Sequence, residues 1–389
     1  MILRRLIFGV ILTCVATASV QADDITSAVK TLQSVEPGGK GTSAAREAAE
    51  VLSTAGDKAL LPVLQGFEGA DLLAANWLRN SFEQIVDGIR DSGRKLPAAE
   101  LEAFIRDQKQ SAVARRLAYE SLKIQTPEIE ARLIPDCLLD ASPEFRRDAV
   151  AMLIAQASAA TEASVSTPLY RKAMQGAVHE DQVKTIAEAL RKNGEEVDIR
   201  KHFGFISQWY VAGPFDNKDE KGFAVPYAPE TEASISKGAD FAAEYDGQLG
   251  KVQWQPLASE DDYGVIDIAK QLENHKGSLM YARTTWTSRG DQQVQIRLGT
   301  PNSWKLWVNG TLVFEREEYH RSSQMDQYSV PVTLKAGENF LLLKVCQNEM
   351  TQDWAQRYQF QVRICDGTGS AVLPLTSTAS NDSQPGVSR

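Results

Sequence analysis

The sequence predicts an α+β multidomain protein, in which an N-terminal α-solenoid precedes a C-terminal antiparallel β-sandwich or jelly roll. Three observations lead to this prediction. Helical periodicity extends over residues 23–200, a near-repeat of two helical segments lies within that range, and alternating apolar residues follow over 201–373. The 389 residues suffice for two domains of ~100–200 residues each.

The first 22 residues have the pattern of a secretory signal peptide. Arg4 and Arg5 precede an apolar run over residues 6–15, and cleavage is expected after Ala22. The run is shorter than the ~20 residues of a membrane-spanning helix, and no later stretch is apolar over that length. We therefore expect an exported protein, periplasmic or extracellular, without a membrane span.

The charge balance excludes one class of partner. The formal net charge is −9, and removal of the basic signal peptide makes it more negative. Because nucleic acid and other polyanions bind to basic surfaces, we expect no nucleic-acid partner.

The helical half begins with three predicted helices, at 44–52, 60–67 and 72–86, which carry apolar residues at helical spacing. Gly56 is expected to end the first helix, and Pro62 is tolerated in the first turn of the second. Each helix has one apolar stripe, which it can bury only by packing on a neighbour.

A near-repeat follows, because residues 115–122 match residues 146–153 in the order of arginine pairs and apolar positions. Ser142 and Pro143 are suited to cap and open the second of these helices. Paired helices repeated every ~30–45 residues form an α-solenoid, and this region resembles HEAT-type repeats. The resemblance implies a surface for a protein partner. The alternative is that the array only supports the second domain.

The β half is organised around a predicted hairpin over residues 302–314. Its dipeptide Asn309-Gly310 tolerates two positive φ angles and favours a type I′ turn. Trp304, Leu306 and Val308 share one face, which a second sheet should cover. Further strands are predicted at 205–212, 251–256, 265–268, 278–288, 292–298, 328–334, 339–345 and 357–364.

Four motifs in this half carry a family resemblance: 209–217 (Trp-Tyr-Val-Ala-Gly-Pro-Phe-Asp-Asn), 281–283 (Tyr-Ala-Arg), 306–310 (Leu-Trp-Val-Asn-Gly) and 341–345 (Leu-Leu-Leu-Lys-Val). Together they resemble galactose-binding-like jelly rolls, similar to the sugar-binding domain of family-two glycoside hydrolases and to protective-antigen-type domains of exported bacterial proteins. The resemblance implies that this half binds carbohydrate.

One departure from that family concerns calcium. The relatives commonly have Gly-Ser-Asp-Asp-Gly before the hairpin, and some use the two aspartates to hold Ca²⁺. Here Pro301 and Asn302 stand within 299–303 and supply no carboxylate, whereas Ca²⁺ prefers several charged oxygen ligands. We therefore expect no metal and no other cofactor.

The sequence lacks an evident catalytic constellation. Adjacent acids at 261–262 and 317–318 could serve a glycosidase, but they are more simply solvated charges. His320, Ser322 and Asp326 include the residue types of a hydrolase triad, without the Gly-x-Ser-x-Gly motif. We expect a protein that is not an enzyme.

Candidate ligand-binding residues come from aromatic and polar positions in the β half. Trp307 lies on the strand face opposite Trp304, and Trp354 lies in a polar loop beside Asp353. Sugar rings stack on aromatic faces while amides and carboxylates bind the hydroxyl groups, which adds Asn302 as a candidate. The alternative for each tryptophan is packing in the core or at an edge.

Two further expectations concern the cysteines and the C-terminus. Cys346 and Cys365 follow consecutive strands and are either bridged in an oxidising compartment or buried as free thiols. Residues 374–389 are rich in Ser, Thr and Asn and are predicted to be a disordered tail.

The predicted function is carbohydrate or envelope-glycan recognition by the β half of an exported, non-enzymatic protein, with the helical repeats as scaffold. Two alternatives stay open: a structural or protein-interaction component of the cell envelope, and an accessory protein of polysaccharide degradation.

Overall fold

The computed structural model describes residues 20–231 and 240–375. The chain divides into two compact units between Ala149 and Val150. Helices predominate up to Phe203 and antiparallel strands after it, so the predicted α+β class is confirmed and the secondary structure changes near residue 200. Residues 1–19 of the predicted signal peptide and residues 376–389 of the predicted tail lie outside the described residues.

The three predicted N-terminal helices are present and longer than predicted. Gly56, with φ +58°, ends the first of them. The next helix starts at Asp57, so that Pro62 lies deeper inside it than predicted. In the part of the chain that the structure describes, eleven α-helices precede the strands. They are α1 Ala22–Gln33, α2 Thr42–Ala55, α3 Asp57–Gln65, α4 Leu72–Asp91, α5 Ala98–Arg106, α6 Ala112–Gln125, α7 Ile129–Leu133, α8 Pro143–Ala159, α9 Ala163–Gly176, α10 Glu180–Lys192 and α11 Ile199–Phe203.

The near-repeat places equivalent side chains at the starts of α6 and α8. Arg115 and Arg146 each occupy the fourth helical position, and both are buried. The Arg115 guanidinium donates two hydrogen bonds to the Asp140 carboxylate, at 2.7 and 2.8 Å, and one to the carbonyl of Ile105 at 2.6 Å. A buried charge needs such a complete set of partners to offset its desolvation.

The strands form three antiparallel sheets. One sheet has six strands in the order β4-β1-β6-β11-β8-β9, one has four in the order β10-β7-β12-β5, and β2 pairs with β3. The bounds are β1 Gln208–Asp216, β2 Glu244–Gly247, β3 Gly250–Gln253, β4 Gln255–Ala258, β5 Ile266–Asp267, β6 Ser278–Ser288, β7 Gln292–Gly299, β8 Ser303–Val308, β9 Thr311–Arg316, β10 Tyr328–Leu334, β11 Gly337–Gln347 and β12 Gln359–Cys365, with short helices α12 at Ala228–Thr231 and α13 at Ile268–Gln271.

The predicted hairpin joins β8 to β9. Its turn residues Asn309 and Gly310 have φ values of +50° and +84°, as a type I′ turn requires. Trp304, Leu306 and Val308 pack into one hydrophobic core with residues of the four-stranded sheet. The sequence pattern therefore predicted the buried face of this hairpin correctly.

The opposite face of the six-stranded sheet is also largely covered. A second apolar cluster there includes Trp307, Phe223 and Tyr245. Lys344 is fully buried within this layer, and its Nζ donates to the carbonyl oxygens of Phe223 at 3.0 Å and Val225 at 2.7 Å. These bonds hold the chain segment after β1 against the sheet.

The three cysteines in the described part of the chain are free and buried. Cys346 lies on β11 in the six-stranded sheet and Cys365 on β12 in the four-stranded sheet. Of the two alternatives in the sequence, the structure has buried free thiols.

Candidate functional site

The four predicted ligand-binding residues fall into two pairs. Trp354 is 61% exposed, in a short 3₁₀ turn at Asp353–Ala355, and Asp353 is exposed beside it. Asn302 and Trp307 are only 2% and 8% exposed. The first pair is therefore accessible to a ligand and the second pair is not.

Asn302 braces the loop that carries Trp354. Its Nδ2 donates to Gln347 Oε1 at 3.0 Å and to the carbonyl of Arg357 at 3.3 Å, and its Oδ1 accepts from the Gln359 amide at 3.2 Å. Gln347 in turn donates to the carbonyl of Ala355 at 3.2 Å. The expectation that Asn302 contacts a ligand is corrected, because its side-chain amide lies beneath the loop and forms its hydrogen bonds within the protein.

Trp307 packs in the apolar cluster on the outer face of the six-stranded sheet, among Phe223, Tyr245 and neighbouring side chains. Its ring faces are therefore covered by protein. For this tryptophan the packing alternative is the one that the structure supports.

Further hydrogen bonds, from Lys276 and Asn274, also hold the Trp354 turn in place. Lys276 Nζ donates to the carbonyl of Ala355 at 2.8 Å, and burial lowers the pKa of Lys276. Gln356 Oε1 accepts a hydrogen bond from Asn274 at 2.9 Å. The exposed tryptophan thus stands on a turn that is held at several points, which reduces the entropy lost when a ligand binds.

Polar side chains from three loops form a chain of contacts that starts at the indole. The His320 ring packs edge-on against Trp354, with ring centroids 5.2 Å apart. His320 Nε2 lies 2.6 Å from Asn348 Oδ1, and Asn348 Nδ2 donates to Glu220 Oε1 at 3.0 Å. Glu349 follows Asn348 and is exposed. We refer to Trp354, His320, Asn348, Glu220 and Glu349 as the Trp354 site.

Two residues of this site and one neighbour have strained backbone conformations. Asp219, Glu220 and His320 have φ values of +52°, +62° and +56°, in the left-handed region that non-glycine residues rarely adopt. The Glu349 carboxylate accepts the Asp219 amide at 2.6 Å, which helps to hold this conformation. Such strain persists where surrounding contacts impose it, and it occurs frequently at functional sites.

One acid of each adjacent pair, and Asp326, form ion pairs elsewhere. Asp262 pairs with Arg191 at 2.8 Å, and Glu318 pairs with Arg316 and Arg321, both at 2.8 Å. Asp326 of the considered triad accepts from Arg363 and Arg297 and not from His320. Within the described ranges, no group of three or more His, Cys, Asp or Glu side chains is placed to hold a metal ion.

Sequence reasoning identified Trp354 and Asp353 but missed the partners of Trp354. His320 appeared only as a member of a hydrolase set, and Asn348 and Glu220 were not considered. The available signal was weak, because these residues come from loops that are distant in the chain. Asn348 and Glu220 are 128 positions apart.

The first compact unit has a separate groove of about 1030 Å³ along one face of α4, α6 and the start of α8. Val113 and Ile124 are exposed on α6 in this groove. Arg116 lies between them and pairs with Glu120 and Asp148. The groove thus combines exposed apolar side chains with charges that are neutralised locally.

In the part of the chain that the structure describes, no helix has the length and apolarity to cross a membrane. Neither protein-family models nor curated protein sequences match this chain.

Three solved structures of glycosidases are partly similar. A β-glucosidase from Kluyveromyces marxianus in complex with glucose has a TM-score of 0.20 and 11% identity over 25% of this chain and 12% of its own. A Faecalibacterium prausnitzii β-glucuronidase has a TM-score of 0.22 and 18% identity over 37% and 21%. A selenomethionine-labelled form of the Kluyveromyces enzyme has a TM-score of 0.24 and 9% identity over 40% and 16%. This chain spans less than a quarter of each of these proteins, and such low scores carry no inference about its function.

Proposed function

We propose that this chain is an exported, non-enzymatic protein that binds carbohydrate through the Trp354 site. The observation that carries the proposal is an indole 61% exposed on a turn braced from beneath by Asn302 and Gln347. Exposing a large aromatic ring forgoes the free energy of its burial, and a fixed exposed ring is the feature that stacks on a sugar.

The neighbouring groups supply the polar half of such a site. Glu220 and Glu349 each use one carboxylate oxygen within the loops, which leaves the other to accept a hydroxyl hydrogen bond. The His320 imidazole beside the indole limits how the sugar ring can orient. In this proposal the β half is a galactose-binding-like jelly roll and the helices form a HEAT-like solenoid that supports it.

The test is a titration of the mature protein against a panel of saccharides, on a glycan array and then by isothermal titration calorimetry. We expect Trp354→Ala to weaken binding more than ~5-fold, as for a residue that contributes over 1 kcal/mol. Leu249→Ala is the matched control, because Leu249 is an exposed apolar residue at the β2–β3 turn. Binding that survives Trp354→Ala, or no binding to any saccharide at millimolar concentration, would contradict the proposal.

A second candidate function is protein interaction in the cell envelope or in a polysaccharide-degrading system. The observation that favours it is the groove along α4 and α6, with Val113 and Ile124 exposed. A partner that co-purifies with the full chain should be lost from a Val113→Asp, Ile124→Asp double variant. Retention of that partner would place the interaction elsewhere.

A further inference from the structure

We propose that residues 217–230 form a strap that opens and closes on the outer face of the six-stranded sheet, and that the buried pair Lys344–Glu230 keeps this closure reversible. The closed strap completes the Trp354 site, so strap closure and saccharide binding favour each other. The coupling to saccharide binding rests on the proposed function, whereas the reversible closure does not.

Three oxygen atoms of the strap bind the ammonium group of Lys344. This lysine lies on β11, between β6 and β8, and is fully buried. Its Nζ donates to the carbonyl oxygens of Phe223 at 3.0 Å and Val225 at 2.7 Å, and it lies 3.4 Å from Glu230 Oε2. An ammonium group has three donors, so the strap supplies a partner for each of them. When the strap lifts, water takes the place of these oxygen atoms.

The Glu230 carboxylate is buried together with the ammonium group. The Glu230 side chain is only 8% exposed, and its Oε2 also accepts a hydrogen bond from the Tyr281 hydroxyl on β6 at 2.9 Å. Closure of the strap therefore withdraws one positive and one negative charge from water together. Both charges regain water when the strap opens.

The buried pair makes closure less favourable than an apolar contact would. Two charges that leave water lose hydration free energy, and apolar residues of similar volume are often equally or more stable in such a place. The Nζ–Oε2 distance of 3.4 Å exceeds the about 2.7–2.9 Å of a strong charge-assisted hydrogen bond. Burial lowers the pKa of Lys344 by more than the Glu230 carboxylate raises it. Closure thus depends on apolar contacts such as that of Phe223 in the outer cluster, and the charged pair opposes them.

The strap also carries part of the Trp354 site. Glu220 Oε1 accepts from Asn348 Nδ2 at 3.0 Å, and Asn348 Oδ1 lies 2.6 Å from His320 Nε2. The His320 ring packs edge-on against Trp354. Opening of the strap removes Glu220 from this chain of contacts and frees Asn348 and His320 to reorient. A molecule with an open strap therefore lacks a complete Trp354 site.

Hydrogen–deuterium exchange of the full mature chain, without saccharide, tests the closure itself. Glu230→Gln keeps an oxygen that can accept from Tyr281 and removes the charge, which leaves the ammonium group buried without a counter-charge. We expect the amides of residues 217–230 to exchange at least ~20-fold faster in this variant, while those of β11 keep their wild-type rates.

A second variant separates a reversible latch from an ordinary stabilising contact. Adding Lys344→Met to Glu230→Gln removes the buried ammonium group as well, so strap exchange should be slower than in Glu230→Gln alone. An ordinary stabilising contact predicts that the double variant exchanges at least as fast as the single one. Lys335→Met, which removes an exposed ion pair with Asp291, is the matched control and should leave strap exchange unchanged.

The coupling is tested with cellotetraose, a mannose tetramer and an N-acetylglucosamine tetramer. At 100 times its Kd, a saccharide that binds only the closed strap slows exchange of residues 217–230 by ~100-fold. Trp354→Ala should lose most of this slowing at the same saccharide concentration. Saturating binding that leaves strap exchange unchanged would contradict the coupling.

The remaining outcomes separate this inference from the proposed function. Wild-type strap amides that exchange as slowly as those of β11, or equal strap exchange in Glu230→Gln and wild type, would overturn the reversible closure. A double variant that exchanges faster than Glu230→Gln would overturn the role of the buried pair. Absence of binding by all three saccharides would overturn the coupling along with the proposed function, and the exchange results without saccharide would still decide the closure.

Discussion

Replacing Asn302 by alanine tests whether this residue braces the loop that carries Trp354 or contacts the ligand directly. The substitution removes three hydrogen bonds: two donated by Nδ2, to Gln347 Oε1 and the Arg357 carbonyl, and one accepted by Oδ1 from the Gln359 amide. Gln347 is fully buried, so its amide oxygen would be left without its donor.

The expected cost follows from those three bonds. A buried polar group that loses its partner costs about 1–3 kcal/mol, and water entering the space left by the side chain recovers part of that. We expect Asn302→Ala to lower the free energy of unfolding by about 2–4 kcal/mol. Thr351→Ala, on the exposed surface of the same loop, should change it by less than ~0.5 kcal/mol.

Urea denaturation followed by tryptophan fluorescence measures this difference, and calorimetric titration with a bound saccharide measures its effect on the site. A stability loss accompanied by weaker saccharide binding is the expected result. Unchanged stability together with abolished binding would refute the bracing role and would make Asn302 a direct contact.

Three further predictions concern buried charges and thiols. Asp140→Ala leaves the Arg115 guanidinium buried without its carboxylate and should cost about 3–5 kcal/mol in thermal unfolding, whereas replacing both residues by apolar ones should cost less. Burial raises the pKa of Asp326 but hydrogen bonds from arginines lower it more. The pKa of Asp326 in the folded protein is therefore below its value of about 3.9 in the unfolded chain. The ionised carboxylate stabilises the fold above pH ~3.9, and this stabilisation is lost as the pH falls through the folded pKa. Asp326→Asn should remove that part of the acid dependence in denaturation measured between neutral and acidic pH; an unchanged profile would contradict it. Burial raises the pKa of Cys346 to about 12, so thiol reagents should label it only after unfolding; rapid labelling of the native protein would contradict the burial.

The fold was predictable where local rules act alone. Asn309-Gly310 encodes a turn through its backbone conformation, and the alternation of Trp304, Leu306 and Val308 encodes a buried strand face. Gly56 likewise ends a helix through its positive φ. Each of these features depends on a few neighbouring residues, which the sequence displays directly.

The site was only partly predictable, since it depends on contacts between distant loops. An alternating pattern places Trp307 opposite Trp304 but cannot show that other segments cover that face as well. Asn302 has a side-chain amide of the kind that binds sugar hydroxyl groups. Only the fold shows that this amide is hydrogen-bonded to Gln347 and Gln359 instead. Side-chain type alone does not distinguish a ligand contact from a brace.

The most direct test of the central claim is an NMR titration that follows the indole signals of the seven tryptophans. The Trp354 signal is assigned by its absence from Trp354→Phe, and saccharides are then added to the labelled mature protein. We expect the Trp354 indole signal to shift until binding is saturated, while the signals of the buried Trp304 and Trp307 stay in place. An unmoved Trp354 signal, or a shift at Trp307 instead, would contradict it.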